Sequence, residues 1–568
     1  MNDIRRTILW VIFGFSMVLL WDQWQVHNGN KATFFPTPAQ QSTPSGVAAF
    51  AASQAAGVPA PVVVPGTVAV PVVETRATTK ALVQIETDVA KLSFDTEGGT
   101  LVRVELLKHA DEHKLGSNVV LLDDSKDRIY TAQTGLISST PGFALPTHKT
   151  VMSVHPGPRK LKDGDNTLAI TFESTAQAGV KLLKTYTVKR GAYDMTVKQD
   201  IVNTGAQDVA PQLYFQLVRD GNKPAGESSF YSTFTGPAIY TEAKKYQKVE
   251  FADIKKKKVD VEKNSSTGYV AMVQHYFASA WILPNGMSRD ISIDAVDIGA
   301  AMPDCCYRVT LISPLEAIQP GKTKSVIATL YVGPQEEKKL EALYPGLELV
   351  KDYGWLTILA KPLFWLLHKL NNILGNWGWS IVSLVVLLKA AFYWLNAHAY
   401  QSMAKMKAIN PRIMEMRERL KDNPQQMQTE MMKIYREEKV NPMGGCVPIA
   451  LQIPVFIALY WVLLSTVEIR NAPWVGWIHD LSAPDPFFIL PLFMTLTTLL
   501  QTALNPAPPD PMQAKMMWIM PLAFSVMFFF FPAGLVLYWI TNNVLSIAQQ
   551  WLINIRMGVP PQFNLPKF

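Results

Sequence analysis

A single lysine inside an otherwise apolar segment is the residue whose chemistry most constrains this chain. Lys389 lies in WGWSIVSLVVLLKAAFYWLN, and a lone cation in a membrane helix costs about 2.5 to 3.5 kcal/mol unless it meets water, a polar partner or a function. Polar residues recur in three other apolar segments, which predicts a hydrophilic cavity inside a small helical bundle. They are Gln452 in the first, Thr495, Thr497, Thr498 and Gln501 in the second, and Thr541, Asn542, Asn543 and Ser546 in the third.

The alternative for Lys389 is that its long side chain reaches the edge of the bilayer. The residue stands six positions before Leu395, which is about 9 Å of helix, and a lysine stem covers part of that distance by snorkelling. The recurrence of polar residues on several segments favours the cavity.

Other patterns that could carry chemistry lack parts that their chemistry requires. GKT at Gly321–Thr323 has no first glycine of a phosphate-binding loop, and HADEH at His109–His113 lacks the glutamate position of a zinc-protease helix. Cys305 and Cys306 are adjacent, which would strain a bridge between them, and Cys446 opens an apolar segment, so we expect free thiols. The sequence predicts no catalytic residue, no metal site and no cofactor.

The composition fits a membrane protein with a large soluble part. Of 568 residues, 48% are hydrophobic, but long stretches have an ordinary soluble composition, so the apolar residues are concentrated in segments. The net charge of +7 is mild and predicts no nucleic-acid groove.

The N-terminus has the features of a membrane anchor. Arg5 and Arg6 precede an uncharged run that ends at Trp21, and polar residues follow where a cleavable signal peptide would need small ones. We predict an uncleaved transmembrane anchor over residues 1–27, with the arginines in the cytoplasm by the positive-inside rule. Residues 28–80 are rich in Pro, Ala, Val and Thr without apolar periodicity, which predicts a disordered periplasmic linker.

Residues 81–345 contain short segments in which apolar and polar residues alternate. Such segments, separated by Gly, Pro, Asn and Asp, indicate a periplasmic antiparallel β-sandwich. The run Lys255–Lys258 is expected in a solvated loop, with a lipid contact as the alternative. The segments are LVQIET, KLSFDT, TLVRVELL, TLAITFES, LLKTYTVK, DMTVKQDIV, YVAMVQHYF, ISIDAV and SVIATLYV.

Residues 347–374 predict an amphipathic helix that lies flat on the outer membrane surface. Apolar residues such as Trp355 and Trp365 alternate with Lys361 and other polar residues, and Pro362 breaks the run. A segment of this kind suits the interface better than the bilayer core.

Five further transmembrane helices are predicted, because three apolar segments are each long enough to cross a bilayer and the uncharged run from Met516 to Ile555 is too long for one helix and suits two short ones. With the anchor they give six transmembrane helices, an even number that places both termini in the cytoplasm. The connection after the second span carries nine Lys or Arg residues, whereas the loop 468–485 carries only Arg470, which agrees with this orientation. The predicted helices are 375–397, 446–467, 486–504, 516–531 and 533–555, with a periplasmic loop at 468–485, a cytoplasmic loop at 505–515 and a cytoplasmic tail at 556–568.

The basic connection at 398–445 predicts a cytoplasmic coiled-coil hairpin. Apolar residues step by three and four positions along both halves, and Asn423 and Pro424 suit the cap and the first residue of the second helix. Its methionine-rich stripe is either a flexible seam between the helices or an adaptable docking face for apolar peptides or a partner protein. The residues predicted for docking are Met406, Ile413, Met416, Met427 and Met431.

Four stretches within residues 350–555 carry specific motifs: NPMGGCVPIALQIPVFIALYWVL, WIHDLSAPDPFFILP, DPMQAKMMWIMP and FPAGLVLYW. They resemble the motifs of the YidC/Oxa/Alb insertase family, in its Gram-negative form with a large periplasmic domain. The resemblance implies a polytopic α-helical protein of the bacterial inner membrane, with a five-helix insertase core and a non-catalytic sandwich similar in fold to galactose mutarotases. It also implies that the chain inserts and folds nascent membrane proteins in contact with lipids, alone or beside SecYEG and SecDF.

The resemblance further implies which residues form a substrate groove. The family's groove cation falls on Lys389, its groove glutamine on Gln452, and its substrate-contacting aromatic residue on Trp539 beside Tyr538. The polar residues that complete the predicted groove are Thr541, Asn542 and Asn543.

Two features depart from the family pattern. The groove cation is usually arginine, and the lysine at position 389 keeps the charge but lacks the planar fork. After the last helix the basic residues are Arg556 and Lys567, so the expected contact with the ribosome and the signal recognition particle pathway through the tail is weak.

The mechanism predicted from these residues needs no covalent chemistry. A groove open to lipid and cytoplasm would let the polar tail of an incoming chain leave water gradually, while hydrophobic partitioning and the membrane potential drive the step. Two other functions compete with this one. A secondary transporter would be expected to show inverted repeats, which the five core segments lack, and a non-translocating scaffold would act through its sandwich.

Overall fold

The fold was analysed in a computed structural model that describes most of the chain from residue 81 onward. The predicted anchor at 1–27, the predicted linker at 28–80 and Cys446 lie outside the described residues. The described chain forms two compact units that divide between Asp352 and Tyr353. The described residues are 81–111, 114, 116–140, 143–224, 233–296, 305–420, 423–438, 447–505, 511–558 and 563.

The first unit is a β-sandwich of two antiparallel sheets, as the alternating segments predict. Its strands are β1 (Leu82–Glu86), β2 (Ala90–Asp95), β3 (Thr100–Ala110), β4 (Asn118–Asp124), β5 (Ile129–Ile137), β6 (Met152–Val154), β7 (Thr167–Ser174), β8 (Val180–Lys189), β9 (Asp194–Asn203), β10 (Gln212–Asp220), β11 (Thr235–Thr241), β12 (Lys245–Lys248), β13 (Asn264–Ser265), β14 (Tyr269–Gln274), β15 (Phe277–Ile282), β16 (Arg289–Val296), β17 (Cys306–Pro314) and β18 (Thr323–Pro334). One sheet has the order β1-β2-β3-β4-β5-β10-β17-β16-β13, and the other has the order β12-β11-β14-β15-β18-β9-β8-β7-β6.

Among the described residues of this unit, two short helices accompany the sheets, α1 (Phe251–Lys255) and α2 (Glu337–Leu343). The side chains of Lys255–Lys258, where α1 ends, are exposed, as expected of a solvated loop. A short 3-10 helix at Leu347–Val350 closes the unit.

In strands that expose one face to solvent, the alternation of apolar and polar residues places the other face in the core. Strand β8 follows this rule, with buried and partly exposed residues in turn along its length. Hydrogen bonds also join the two sheets. The Trp281 indole donates to the Gln216 carbonyl at 3.1 Å, and the Tyr130 hydroxyl donates to the Met272 carbonyl at 3.1 Å. The polar groups at the ends of these buried side chains therefore have hydrogen-bond partners in the opposite sheet.

One segment predicted as a single strand forms two strands. The run YVAMVQHYF contains β14 and the start of β15, which pair as a hairpin around His275 and Tyr276. His275 has a backbone φ of 27°, an uncommon positive value, where the chain reverses. Both strands are buried along their whole length, so the apolar run carries no alternation that would mark the turn.

The expectation of free thiols at the adjacent cysteines is wrong in this structure. A disulfide joins Cys305 and Cys306. Their Cα atoms are consecutive along the chain and 3.7 Å apart, which keeps the two sulfur atoms within bonding reach.

The second unit is helical. Short 3-10 helices at Gly354–Leu356, Val467–Ile469 and Phe528–Phe530 lie between its longer helices. The longer helices are α3 (Thr357–Leu374), α4 (Trp377–Ala391), α5 (Tyr393–Arg419), α6 (Pro424–Glu437), α7 (Val447–Ser465), α8 (Ile489–Leu504), α9 (Pro511–Met527) and α10 (Ala533–Arg556).

Helix α3 continues through Pro362, which the sequence analysis expected to break it. Ala360, Phe364 and Leu367 are buried on one face, and this packing outweighs the one backbone hydrogen bond that proline removes. Gly375 ends α3 in the left-handed conformation, and Asn376 begins α4 by accepting a hydrogen bond from the Trp379 amide at 3.1 Å.

One bent pair of helices, α4 with α5, is long and apolar enough together to cross a bilayer, and its axes turn by 69°. Within the described ranges, no helix meets both conditions by itself. Three shorter apolar helices cover Gln452–Ser465, Ile489–Leu504 and Ala514–Phe530. The bend falls at Phe392, inside the helix that the sequence predicted to run without interruption over 375–397.

Helix α10 is central to the helical unit and contacts α4, α5, α7 and α8. Leu535, Val536 and Leu537 belong to its buried cluster. The start of α10 is held by the loop between α7 and α8, because the amides of Ala533 and Gly534 donate to the carbonyls of Leu481 and Ala483 in that loop, Ala533 to Ala483 at 2.8 Å and Gly534 to Leu481 at 2.9 Å.

Candidate functional site

A small cavity lies between α4, α5, α7 and α10. Its volume is about 40 Å³, which is room for about three water molecules. Four of the predicted groove residues meet there, namely Lys389, Gln452, Tyr538 and Asn542. The full lining consists of Val385, Leu388, Lys389, Phe392, Asn396, Gln452, Val455, Tyr538 and Asn542.

The Lys389 side chain turns toward α10. Its Nζ donates a hydrogen bond to Ser546 Oγ at 2.7 Å, and Ser546 Oγ donates in turn to the Asn542 carbonyl at 2.7 Å. The serine hydroxyl therefore accepts from the cation and donates to the backbone of its own helix, which satisfies it in a buried position. This geometry supports the polar cavity over the snorkelling alternative.

Gln452 and Tyr538 face each other across the cavity. The Tyr538 hydroxyl lies within hydrogen-bonding reach of the Gln452 side chain, and the Tyr538 ring is buried. Its ring centroid is 6.1 Å from that of Phe456 on α7. The hydroxyl end of this tyrosine therefore meets the polar space while its ring belongs to the apolar core.

Two polar residues of the predicted groove have other partners. The Thr541 hydroxyl donates to the Leu537 carbonyl of its own helix at 2.8 Å. Asn543 Nδ2 donates to Thr498 Oγ1 at 2.8 Å and to Thr497 Oγ1 at 3.2 Å, so it joins α10 to α8. Successive residues on a helix point about 100° apart, which is why Asn542 and Asn543 serve different neighbours.

Trp539 belongs to an aromatic cluster beside the cavity. Its ring centroid lies 4.9 Å from Phe456, 5.3 Å from Phe528 and 6.1 Å from Phe524. Among the residues that the structure describes, the cavity lining does not include Trp539, Thr541 or Asn543.

Asn396 and Phe392 line the cavity although the sequence analysis did not select them. Phe392 follows Lys389 by three positions and Asn396 by seven, so both share a face with it in the continuous helix that the sequence predicts. That spacing was the signal for them. Asn396 is buried, and it adds an amide to the polar part of the wall.

The predicted docking residues lie mainly between α5 and α6. Ile413, Met416 and Ile434 form a buried cluster, with Met427 and Met431 packed against it, and Met406 is partly buried. Ion pairs between described residues border this seam, among them Arg412–Glu437, Arg412–Glu438 and Arg419–Glu430, at 3.1, 2.9 and 2.9 Å. Asn423 caps α6 at the predicted position by accepting from the Gln426 amide. The exposed methionines of the pair are Met414 and Met432, at 52% and 48%.

The lining of the cavity carries groups that can donate and accept hydrogen bonds. Its lining supplies one amine, three side-chain amides and one phenol, and Lys389 is the charged member. In the described part of the chain, no group of three His, Cys, Asp or Glu side chains is arranged to hold a metal ion.

Comparison with known families covers both units. A family model described as the YidC periplasmic domain matches residues 82–366, and one described as a 60Kd inner membrane protein matches residues 369–559. Among solved structures, an active YidC insertase with its first transmembrane domain resolved covers 83% of this chain and 92% of its own, at 18% identity and a TM-score of 0.38. A galactose mutarotase related enzyme from Lactobacillus acidophilus covers 44% of this chain and 97% of its own, at 9% identity and a TM-score of 0.29.

Curated relatives extend over nearly the whole chain. A membrane protein insertase YidC from Cupriavidus taiwanensis is 54% identical over 563 residues, which is 98% of each chain. The same protein from Burkholderia multivorans is 50% identical over 98% of this chain and 99% of its own, and that from a Janthinobacterium species is 48% identical over 98% and 100%. With family models over both units and relatives that match from end to end, the chain belongs to the YidC family of membrane protein insertases.

Proposed function

We propose that the cavity at Lys389 receives the polar segment of a membrane protein during insertion. The observation that carries the proposal is the Lys389 amine, held 2.7 Å from the Ser546 hydroxyl beside space for water in an apolar bundle. An unpaired polar group that enters lipid directly costs about 2 kcal/mol or more. Water and the cavity amides replace the hydrogen bonds that such a segment leaves behind, which lowers the barrier to its crossing without any covalent step.

The charge of the cavity gives it a preference among its clients, the membrane proteins that it inserts. Lys389 is the charged residue of the lining, so a segment with acidic residues is attracted more strongly than a neutral one. The apolar part of the client leaves the bundle past the aromatic cluster around Trp539. Hydrophobic partitioning and the membrane potential drive the transfer.

The proposed topology has six transmembrane helices and cytoplasmic termini, with the sandwich in the periplasm and the α5–α6 hairpin in the cytoplasm. The nine Lys and Arg residues of the hairpin region support this orientation. Exposed Met414 and Met432 offer adaptable apolar contacts for incoming chains. The hairpin receives chains from the signal recognition particle pathway and the ribosome, and the bundle acts alone or beside SecYEG and SecDF.

A test compares clients with acidic and with uncharged translocated tails in cells that depend on this chain. Lys389→Ala is expected to lower insertion of the acidic client by about tenfold, which corresponds to about 1.4 kcal/mol of lost attraction. Lys389→Arg should retain insertion, because the charge remains. Lys515→Ala, which removes an exposed lysine from α9, is the matched control and should insert both clients normally. Normal insertion of the acidic client by both Lys389→Ala and Lys389→Glu would refute the proposal.

A further inference from the structure

The bend between α4 and α5 has no local cause in the sequence. The axes turn by 69°, and Phe392 between the helices has φ −93° and ψ 11°, outside the helical minimum. Sharp kinks generally arise at proline, at glycine or where a side chain engages the helix backbone. The stretch LLKAAFYWLN contains neither proline nor glycine, so the cause lies in another element.

Helix α10 holds the chain on both sides of the bend. Before it, Lys389 Nζ donates to Ser546 Oγ at 2.7 Å. After it, Gln549 Nε2 donates to the Tyr393 carbonyl at 3.3 Å. Ser546 and Gln549 are three positions apart and lie on the same face of α10. Both side chains are buried, and the two hydrogen bonds that they make are partly buried.

We propose that Ser546 and Gln549 are positioning residues that set the angle between α4 and α5, and so keep the Lys389 amine at the cavity and fix the direction of the α5–α6 hairpin. The inference rests on the proposed function of the cavity. A movement of the hairpin that breaks the Gln549 contact changes the angle at Phe392, and Lys389, three residues away, moves with it. The hairpin and the cavity are thus mechanically coupled through one face of α10.

The chain provides a matched control in Gln550. This neighbouring glutamine is also buried, but its Nε2 donates to the Leu504 carbonyl and to Asn505 Oδ1, at 3.4 and 3.2 Å. It therefore joins α10 to the end of α8 and does not touch the bend. Gln549→Leu and Gln550→Leu remove the same chemical group from adjacent positions, and only the first should alter the angle.

The angle can be measured without any client. Spin labels at Met414→Cys on α5 and Val544→Cys on α10, both exposed positions, report the distance across the bend in the full chain in lipid, with its three native cysteines replaced by serine. Gln549→Leu should broaden or shift the distance distribution, whereas Gln550→Leu should leave it unchanged. An unchanged distribution in Gln549→Leu, or an equal change in both variants, would overturn the inference.

Insertion provides the second readout. Ser546→Ala should lower insertion of the acidic client by about fivefold, the usual effect of one lost hydrogen bond, and Ser546→Thr should restore it because the hydroxyl remains. Equal insertion by Ser546→Ala and the parent chain would remove Ser546 from the inference. If Lys389→Ala and Lys389→Glu both insert the acidic client normally, the proposed cavity function fails, and the spin-label distances still decide whether α10 sets the angle.

Discussion

The stability of the periplasmic sandwich should depend on pH through a single buried lysine. Lys184 on β8 lies between the two sheets, fully removed from solvent. Its Nζ donates to the Gly98 carbonyl at 2.7 Å and to the Thr134 carbonyl of the opposite sheet. Burial lowers the pKa of Lys184 from 10.5 to about 7. We expect this shift to appear as a slope in the free energy of unfolding.

The sign of the slope follows from proton binding. Between the folded pKa of about 7 and the unfolded pKa of 10.5, the unfolded chain binds a proton at Lys184 that the folded chain lacks. The free energy of unfolding therefore rises with pH across this window, by about 1.4 kcal/mol for each pH unit, or roughly 2 to 3 kcal/mol from pH 7 to pH 9.

Other buried groups titrate outside that range. Burial lowers the pKa of His148 well below 6.5, so its contribution grows with pH only below the window. Burial raises the pKa of Tyr130 and of Tyr186 above 10, so they reduce stability only at higher pH, where the unfolded chain loses its protons first.

The assay is urea unfolding of residues 81–352, the described part of the first compact unit, followed by tryptophan fluorescence between about pH 7 and about pH 9. Lys184→Met removes the titrating amine at similar side-chain length and should abolish the slope. The carbonyls of Gly98 and Thr134 then lose their donor, which lowers stability at every pH. Lys189→Met, at the exposed end of the same strand, should keep the slope of the parent. A Lys184→Met sandwich whose stability still rises with pH as the parent's does would refute the reasoning.

Three further outcomes concern the core and the division into two units. Trp281→Ala should destabilise the sandwich by about 3 to 5 kcal/mol in urea unfolding, whereas Ile327→Ala, at a half-exposed position, should cost far less. Replacing 405–439 by a short flexible linker should leave a bundle that accumulates in the membrane but receives no targeted chains, and unchanged client insertion in cells would contradict the docking role. Removing 81–334 while keeping 347–374 should support growth, because the cavity lies within the helical unit, and loss of insertion by a normally accumulated protein would contradict this.

The sandwich was largely predictable because strands such as β8 bury one face in the core and turn the other toward solvent. Strand β8 alternates between the core and the surface, so its residue types carry the period of its structure. The hairpin of β14 and β15 was missed for the complementary reason. Both of its strands are buried on both faces, and a continuous apolar run has no feature that separates two short strands from one long strand.

The cavity was predictable to the extent that its residues are rare in their surroundings. Lys389 and Gln452 stand out in apolar segments, and the structure places both in the lining of the same cavity. The partners of neighbouring polar residues were not predictable from composition, since Asn542 lines the cavity while Asn543 reaches α8. The direction in which each side chain leaves the axis of α10 decides whether it meets the cavity or α8. That direction depends on how α10 is rotated against the helices around it.

The bend at Phe392 shows a second limit of sequence reasoning. The sequence on either side of Phe392 has the apolar composition of one continuous helix, and the groups that engage its backbone and its lysine stand more than 150 positions later on α10. A kink with a distant cause has no local signal, in contrast to one made by proline. The angle of such a kink is also easier to change, because it is held by two hydrogen bonds, to Ser546 and Gln549, and not by a proline ring. Under the proposed function, a client contacts first the hairpin and then the cavity, and such a transfer needs a joint of that kind between the two.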